Sequence, residues 1–332
     1  TGAVTLGGNS TLTTTNSAIT FGSTLNGGYA ATIAAGSGLT TFTGAVGGSS
    51  ALSSLTVSGS GGASLGGNVT TTGAQSYTGA VTIAGNDTLT GTTITLTGAV
   101  DDSVANTHSL TVSGNAVFGS TVGATNKLAS LHVTGTTTTG GNITTGGAQA
   151  FDGATTLGTD AILTTSNGNV TFGSTLNGAH ALAIAAGSGA VHFTGAVGGS
   201  AALTSLSSSG SGTVTIDNNI TTTGTQSYTG AVTLGGNSTL TTTNSAVSFG
   251  STVNGAYALT VASGSGAVSF ASTVGNSSAL TSLSSSGSGT VTLNGNVTTT
   301  NGAQTYTGAT VMGANLTLSA GSGMVTFGST LN

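Results

Sequence analysis

The stretch TGAVTLGGNSTLTTTNSAVSFGSTVNG, residues 229–255, decides the fold, because residues 1–27 repeat it with only three changes. Each change keeps the size class and polarity of the side chain, so the retained feature is a pattern of inward apolar and outward small polar positions. The changes are Ile19 to Val247, Thr20 to Ser248 and Leu25 to Val253. A unit copied along a chain is typical of a repeat architecture, in which stacked neighbours bury a core that one unit cannot bury alone.

The phrase (T)GA(V)T recurs along the chain and divides it into long repeats. The predicted long repeats are 1–77, 78–151, 152–228, 229–306 and a partial 307–332. Each divides further into units of about 20 residues, which is a suitable length for one coil of a parallel β-helix. Within a unit, segments such as Val4-Thr5-Leu6 alternate apolar and polar residues, as strands with one buried face do. The sequence therefore predicts an all-β parallel β-helix (β-solenoid) with four coils per long repeat, continuous over residues 1–332.

The composition fits stacked coils and excludes several functions. The chain has no Pro, which would interrupt a hydrogen-bonded ladder, and no Cys for a disulfide or thiolate site. A charge repeated in register would face its like about 4.8 Å away, which costs roughly 1 kcal/mol per pair even in water. Lys127 is the single basic residue and the net charge is −5, so nucleic acid and anionic membranes are not expected partners. No apolar run is long enough for membrane insertion as a helix.

Aromatic residues and asparagines recur at positions that predict structural roles. Three pairs of phenylalanines lie 21 residues apart, so each pair is expected to stack in successive coils; they are Phe21 and Phe42, Phe172 and Phe193, and Phe249 and Phe270. A second set, interpreted as corner residues or alternatively as a carbohydrate-binding strip, consists of Tyr77, Phe151, Tyr228 and Tyr306. Asparagines recur at turns, where they tolerate left-handed backbone and can stack amide on amide, which predicts ladder or corner roles. These are Asn26, Asn177, Asn254, Asn68, Asn142, Asn219 and Asn296.

The second long repeat diverges most and holds most of the ionisable residues. Asp101 and Asp102 are expected on a loop, where they are a weak candidate for a hard cation such as Ca²⁺, together with loop carbonyls. The four histidines come from different copies without metal-ligand spacing, which favours exposed or rim positions and no metal site. Glycoside cleavage needs a convergent acid and base, and the scattered aspartates offer none, so the chain is not expected to be an enzyme and needs no cofactor.

Threonine runs suggest one further alternative, because a flat face of regularly spaced threonines on a β-solenoid can order water for ice binding. The runs are Thr70 to Thr72, Thr136 to Thr139, Thr221 to Thr223 and Thr298 to Thr300. They occur once per long repeat, so no continuous two-column array is evident from the sequence. Ice binding is accordingly a minor alternative.

Phrases such as VTFGSTLNG, FTGAVGGSSALSSLTVSGSG and NVTTTGAQSYTGAVTLGG resemble the repeat regions of large bacterial surface and secreted proteins. These are filamentous-haemagglutinin-like exoproteins, autotransporter passengers and related β-strand-repeat adhesins. The resemblance covers essentially the whole chain. It implies a right-handed solenoid, export across the bacterial envelope, and a role as fibre, stalk or adhesin.

The resulting expectation is an extracellular, cell-surface structural fibre or stalk segment. The sequence begins at the first turn of a long repeat and stops mid-repeat without a capping segment. We therefore expect a piece of a longer array, or a chain that associates with itself head to tail or laterally in a filament. The alternative is an adhesin that binds a host-cell or glycan surface through the divergent second repeat.

Overall fold

The computed structural model describes residues 2–332; Thr1, the first residue of the first long repeat, lies outside the described residues. The chain divides into two compact units, Thr1–Ser166 (unit 1) and Asn167–Asn332 (unit 2). Within each unit the described residues form short strands without a helix, and the strand pairings are parallel with a spacing near 21 residues. The predicted all-β parallel solenoid is thus confirmed. That residues 1–332 form one continuous domain stays a prediction.

The described residues of unit 1, residues 2–166, form twenty strands, most of them two to five residues long. They are β1 (Val4–Thr5), β2 (Ser10–Thr13), β3 (Ile19–Phe21), β4 (Leu25–Asn26), β5 (Ala30–Ala34), β6 (Thr40–Phe42), β7 (Ser54–Ser58), β8 (Ala63–Leu65), β9 (Val69–Thr70), β10 (Gln75–Tyr77), β11 (Val81–Ile83), β12 (Asp87–Leu96), β13 (Val100–Asp102), β14 (Leu110–Phe118), β15 (Leu131–Val133), β16 (Thr137–Thr139), β17 (Ile143–Thr145), β18 (Gln149–Phe151), β19 (Thr155–Leu157) and β20 (Ala161–Thr165).

Unit 2 continues in the same style. Its strands are β21 (Val170–Phe172), β22 (Leu176–Asn177), β23 (Ala181–Gly187), β24 (Val191–Phe193), β25 (Ser205–Gly210), β26 (Val214–Ile216), β27 (Ile220–Thr221), β28 (Gln226–Tyr228), β29 (Val232–Leu234), β30 (Ser238–Thr241), β31 (Val247–Phe249), β32 (Val253–Asn254), β33 (Ala258–Gly264), β34 (Val268–Phe270), β35 (Ser282–Gly287), β36 (Val291–Leu293), β37 (Val297–Thr298), β38 (Gln304–Tyr306), β39 (Thr310–Met312), β40 (Leu318–Ser319) and β41 (Val325–Phe327).

Each unit is a three-sided coil, because a strand pairs with the third strand after it. β1 pairs with β4, β2 with β5 and β3 with β6, which places successive strands on three faces in turn. Each face of unit 1 is defined by the inward residues that stack along it. Face A holds Val4, Leu25, Val46, Val69 and Leu89. Face B holds Leu12, Ile33, Val57, Tyr77 and Leu96, and face C holds Ile19, Thr40, Ala63, Val81 and Val100.

The faces of unit 2 are named in the same way, independently of unit 1. Face D holds Val170, Val191, Val214, Val232, Val253, Val274 and Val297; face E holds Leu240, Val261, Ser285, Tyr306 and Phe327; face F holds Leu206, Gln226, Val247, Val268, Val291 and Thr310.

The core lies inside the three faces and follows from the period-two alternation. In β21, Val170 and Phe172 are buried and the intervening Thr171 is half-buried on the outside. At the corners the coils approach so closely that glycine is required. Gly27 has φ +128°, and a Cβ there would lie 2.6 Å from the carbonyl oxygen of Leu6 in the preceding coil.

The strand pairings refine the expected four coils per long repeat. From Val4 to the residue before Val81, unit 1 passes through ten strands, β1 to β10, and one further segment that carries the bridge positions Val46 and Leu52, which makes eleven segments. In unit 2 the segments from Val232 up to Thr310 are again β29 to β38 and one segment that carries the bridge positions Val274 and Leu280. At three segments per turn, eleven segments complete three and two-thirds turns.

The missing third of a turn changes which residues stack. Val4 lies on face A, its counterpart Val81 on face C and the next counterpart Thr155 on face B, so equivalent residues of successive repeats never lie above one another in unit 1. In unit 2, Val232 lies on face D and Thr310 on face F. Stacking therefore joins different positions of one long repeat.

Candidate functional site

The phenylalanines 21 residues apart form stacks inside the coils. The rings of Phe21 and Phe42 lie 5.2 Å apart between centroids and 6° from parallel. Phe172 and Phe193 stack at 5.5 Å. Phe249 and Phe270 stack at 4.9 Å, and Phe249 also stacks on a tyrosine, Tyr228, at 5.6 Å. All of these rings are buried, so they stabilise the core and present no binding surface.

The prediction that the second aromatic set lies at corners of the coil is wrong. Tyr77, Phe151, Tyr228 and Tyr306 each lie at the inward end of a strand, at most 1% exposed. Burial raises the pKa of Tyr228 and of Tyr306, because the charged phenolate is excluded from water. A carbohydrate-binding strip built from these four residues is excluded by their burial.

A buried glutamine precedes each of these aromatic residues by two positions, and the sequence analysis missed it. Gln226 Nε2 donates to the carbonyl oxygens of Ile220 and Thr241, at 3.3 and 2.9 Å, which ties two coils together. The hydroxyl of Tyr228 donates to Gln226 Oε1 at 3.1 Å. The recurring sequence Gln-x-Tyr or Gln-x-Phe could have indicated this buried pair. It occurs at Gln75, Gln149, Gln226 and Gln304.

The turn asparagines do not stack amide on amide as interpreted. Each accepts a backbone N–H from the following coil through Oδ1, so it joins two turns of the chain. Asn68 accepts from Thr88 at 2.8 Å, and Asn254 accepts from Ser277 at 3.0 Å. The same contact is made by Asn26 with Ser49, Asn142 with Ile162, Asn177 with Ser200, Asn219 with Thr239 and Asn296 with Thr317.

Asp101 and Asp102 do not converge on a shared cation position, because they are neighbours in β13 and point to opposite sides. Asp101 is half-buried, and its Oδ1 accepts the N–H groups of Thr125 and Asn126 at 2.9 and 3.1 Å. Asp102 is 1% exposed and points inward. The expected loop position is therefore corrected to a strand, and each carboxylate already has backbone partners.

Asp102 anchors the loop that follows β13. Its carboxylate accepts the N–H groups of Val104, Thr107 and His108, and it lies 2.7 Å from His108 Nδ1. Burial opposes ionisation, but the hydrogen bonds from His108, Thr107 and Val104 outweigh it and lower the pKa of Asp102. The carboxylate is the structural centre of this loop.

Contacts between a histidine and an aspartate recur in both units and were not predicted from the sequence. His132 Nε2 lies 2.8 Å from Asp152 Oδ2 in unit 1, and His192 Nε2 lies 2.8 Å from Asp217 Oδ2 in unit 2. In both cases the aspartate lies one coil further along and two positions past the residue that pairs with the histidine. In the sequence, the spacing of one coil plus two residues between histidine and aspartate could have predicted these contacts. Each contact has two members, and residues 2–332 contain no group of three or more metal-ligating side chains.

The threonine runs alternate inward and outward, so they supply few exposed hydroxyls. Thr71 is buried and its hydroxyl donates to the carbonyl oxygen of Gly73 at 2.8 Å. Thr137 and Thr139 are buried on face B, whereas the run at Thr70 lies on face A.

Outward hydroxyls instead form files along strand centres, one residue per coil. One file on face B is Thr11, Thr32, Thr56, Ser76 and Thr95. A file on face E is Thr239, Thr260, Ser284, Thr305 and Thr326, and one on face F is Ser207, Ser227, Ser248, Ser269 and Thr292. The surface chemistry of the files is thus similar on different faces.

Comparison with protein-family models, with curated proteins and with solved structures finds no match to this chain. The resemblance to exoprotein and adhesin repeats therefore stays a prediction. Residues 2–332 contain no helix with the length and hydropathy needed to cross a bilayer.

Proposed function

We propose that the chain is a structural spacer, a fibre or stalk segment of a large bacterial surface or secreted repeat protein. The proposal includes an extracellular location and association with further copies, head to tail or laterally. It is supported by the repeat architecture, by the inter-coil bonds and by the way in which the long repeat progresses around each unit.

The observation that carries the proposal is the length of the long repeat, eleven segments on a three-sided coil. Binding to a flat partner is strengthened when the same residues lie on the same face in every repeat. Here equivalent residues such as Val4, Val81 and Thr155 move to a different face each time. This progression distributes any recurring feature around the unit, which suits a spacer better than a one-sided binder.

The inter-coil contacts supply the mechanical resistance that a spacer needs. Backbone ladders, stacked rings and asparagine contacts all join one coil to the next, and the glutamines add buried bonds of the same kind. Each hydrogen bond contributes about 1 kcal/mol net. Because the contacts repeat in coil after coil, loss of a single one weakens its own coil and leaves the others intact.

Force spectroscopy on the full chain, held at its two ends, tests the proposal. A spacer is expected to resist extension and then to lengthen in steps of whole coils, with similar forces in both units. A variant that lacks the inter-coil contact of Asn254, Asn254→Ala, provides the control and should lower the force of the steps near that residue. Extension at low force without steps would contradict a load-bearing role.

An adhesin is the second candidate, favoured by one loop of the second repeat. Val104 is 60% exposed on the loop that Asp102 anchors, and Lys127, the single basic residue, lies on the next coil, where its Nζ donates to Ser166 Oγ at 2.9 Å. In residues 78–151, β12 and β14 each span two faces, and the bridge positions Val122 and Leu128 form one more segment, so eight strands supply eleven segments. Replacing these residues with residues 229–306 therefore keeps the number of segments and removes this loop. Cell or glycan adhesion that disappears in the chimera, with mechanical resistance retained, would favour the adhesin over the spacer.

Ice binding is favoured only by the outward hydroxyl files. A file such as Thr11, Thr32 and Thr56 presents one hydroxyl per coil, about 4.8 Å apart. The files also include serines and recur on faces E and F, which fits a charge-free surface without a dedicated ice face. An ice-recrystallisation assay decides this alternative, and Thr32→Lys with Thr56→Lys is the matched loss variant.

Electron micrographs of the same sample show whether the copies associate into filaments.

A further inference from the structure

One carboxylic acid lies inside unit 1 without a polar partner. Asp87 is the first residue of β12, is 2% exposed and points inward on face A, two residues before the buried Leu89. Neither oxygen of its carboxyl group has a hydrogen-bond partner. Its backbone is well held, because the N–H donates to the carbonyl oxygen of Ser109 at 3.0 Å. The strand is therefore regular and the side chain alone is unsatisfied.

The counterparts of Asp87 in other repeats show which partner is lost. Ser10 and Ser238 occupy the same position, and their hydroxyls donate to the carbonyl oxygens of Gly8 and Gly236 at 3.0 and 3.1 Å. Gly85 stands at that place in the second repeat, and a Cβ on it would lie 3.1 Å from Asp87 Oδ1. A protonated carboxyl group has a hydrogen to donate there, whereas an ionised one has only acceptors.

Two titratable groups on neighbouring elements interact with Asp87: His108 acts on it, and Tyr77 is acted on by it. Burial raises the pKa of Asp87 to about 6, and His108, which precedes β14, opposes this increase. Tyr77 on β10 is affected in return, because burial and then the charge of Asp87 raise its pKa. The remaining charged groups of this region are already engaged: Asp102 with His108 and backbone N–H groups, Asp101 with backbone N–H groups, and Lys127 with Ser166.

We propose that the coil containing Asp87 is a pH-sensitive weak point of unit 1, closed when the carboxyl group is protonated and opened locally when it is ionised. The orphaned carboxyl group supplies the change in charge. The element that responds is the pair of strands β12 and β14. The Asp87 N–H donates to the Ser109 carbonyl, and Ser109 directly follows the loop anchored by Asp102.

The direction of the effect follows from the sign of the pKa change. An aspartate has a pKa near 3.8 when exposed and about 6 here, so the folded coil binds the proton more tightly than the open coil. The stabilisation is complete below about pH 4 and disappears as the pH rises through about 6. A pKa difference of about two units between the open and the closed coil corresponds to about a 100-fold change in the closed-to-open equilibrium.

Hydrogen–deuterium exchange of the full chain tests the proposal, with rates corrected for the intrinsic effect of pH. Between pH 5 and pH 8, which covers only the upper part of this titration, the amides of residues 87–90 and 109–113 are expected to lose about 10-fold of their protection. The matching amides around Ser238 are the internal control and should not change. Asp87→Ser, which installs the residue found in the first and fourth repeats, is expected to abolish the pH dependence.

Two results would overturn the proposal. One is equal pH dependence around Asp87 and Ser238 in the unmodified chain, a comparison that needs no variant. The other is a pH dependence that persists in both Asp87→Ser and Asp87→Asn, which would assign it to another group. The two variants together guard against loss of folding in either one.

Discussion

The second long repeat, residues 78–151, and the fourth, residues 229–306, have the same number of segments but treat their interior polar groups differently. In the fourth, Ser238 donates to a backbone carbonyl and Gln304 Oε1 accepts the hydroxyl of Tyr306 at 3.2 Å. In the second, the carboxyl group of Asp87 and Oε1 of Gln149 are buried without partners. The difference teaches that the backbone ladder holds the coil in place even where the interior polar side chains are not satisfied.

Removing the carboxylate of Asp102, which is buried and fully hydrogen-bonded, should have the largest effect. Asp102→Asn replaces an acceptor with an amide that faces three N–H donors, and we expect a loss of about 3–5 kcal/mol from the free energy of unfolding. Because the pKa of Asp102 is lowered, its contribution is present above the usual aspartate pKa and disappears as the pH falls through the lowered value. Urea denaturation between pH 2 and pH 7 measures both effects, and Asp101→Asn, at a half-buried position of the same strand, is the matched control.

Transferring the unsatisfied carboxyl group to the fourth repeat should remove the contrast between the two repeats. Ser238→Asp is expected to destabilise unit 2 by about 3 kcal/mol above pH 7, the equivalent of a shift of about two pKa units, and much less below pH 4. Urea denaturation at both pH values measures it. Ser238→Ala, which loses the hydroxyl without adding a charge, separates the cost of ionisation from the cost of the lost bond. A Ser238→Asp variant with the same stability at both pH values would contradict this reasoning.

Reciprocal substitutions of the aromatic residue next to the buried glutamine compare the two repeats directly. Tyr306→Phe leaves Gln304 Oε1 buried without a donor and should cost about 1–2 kcal/mol. Phe151→Tyr supplies the missing donor to Gln149 Oε1 and should add about 1 kcal/mol of stability. Thermal unfolding of both variants measures the pair of changes. Effects of the same sign in both would show that ring packing, and not the hydrogen bond, controls this position.

The smallest effect is expected where the two repeats agree. Asn142 and Asn296 both accept an N–H from the next coil, at 2.9 and 2.8 Å on the exposed surface. Substitution of either by alanine should cost about 0.5–1.5 kcal/mol, and by the same amount in each. Hydrogen exchange at the donors, Ile162 and Thr317, is the local readout. A clear difference between the two would mean that the divergent repeat also alters the surface contacts.

Much of the fold could be predicted from the sequence, but less of the side-chain chemistry. The 21-residue distance from Phe21 to Phe42 equals one turn, so their stacking follows from spacing alone. The pairing of His108 with Asp102 does not, because it depends on a loop that folds back onto the strand before it. The burial of Tyr77 was missed because the phrase around it resembles a turn, although its strand alternates regularly.

The sequence by itself determined that the chain coils, with small and charge-free residues outside and apolar residues inside, because alternation and period are properties of the chain alone. Only the tertiary structure decided that three segments complete a turn. That number depends on how sharply each corner bends, which glycine and asparagine permit but do not specify. It determines that a repeat of eleven segments changes face each time, and therefore which side chains meet.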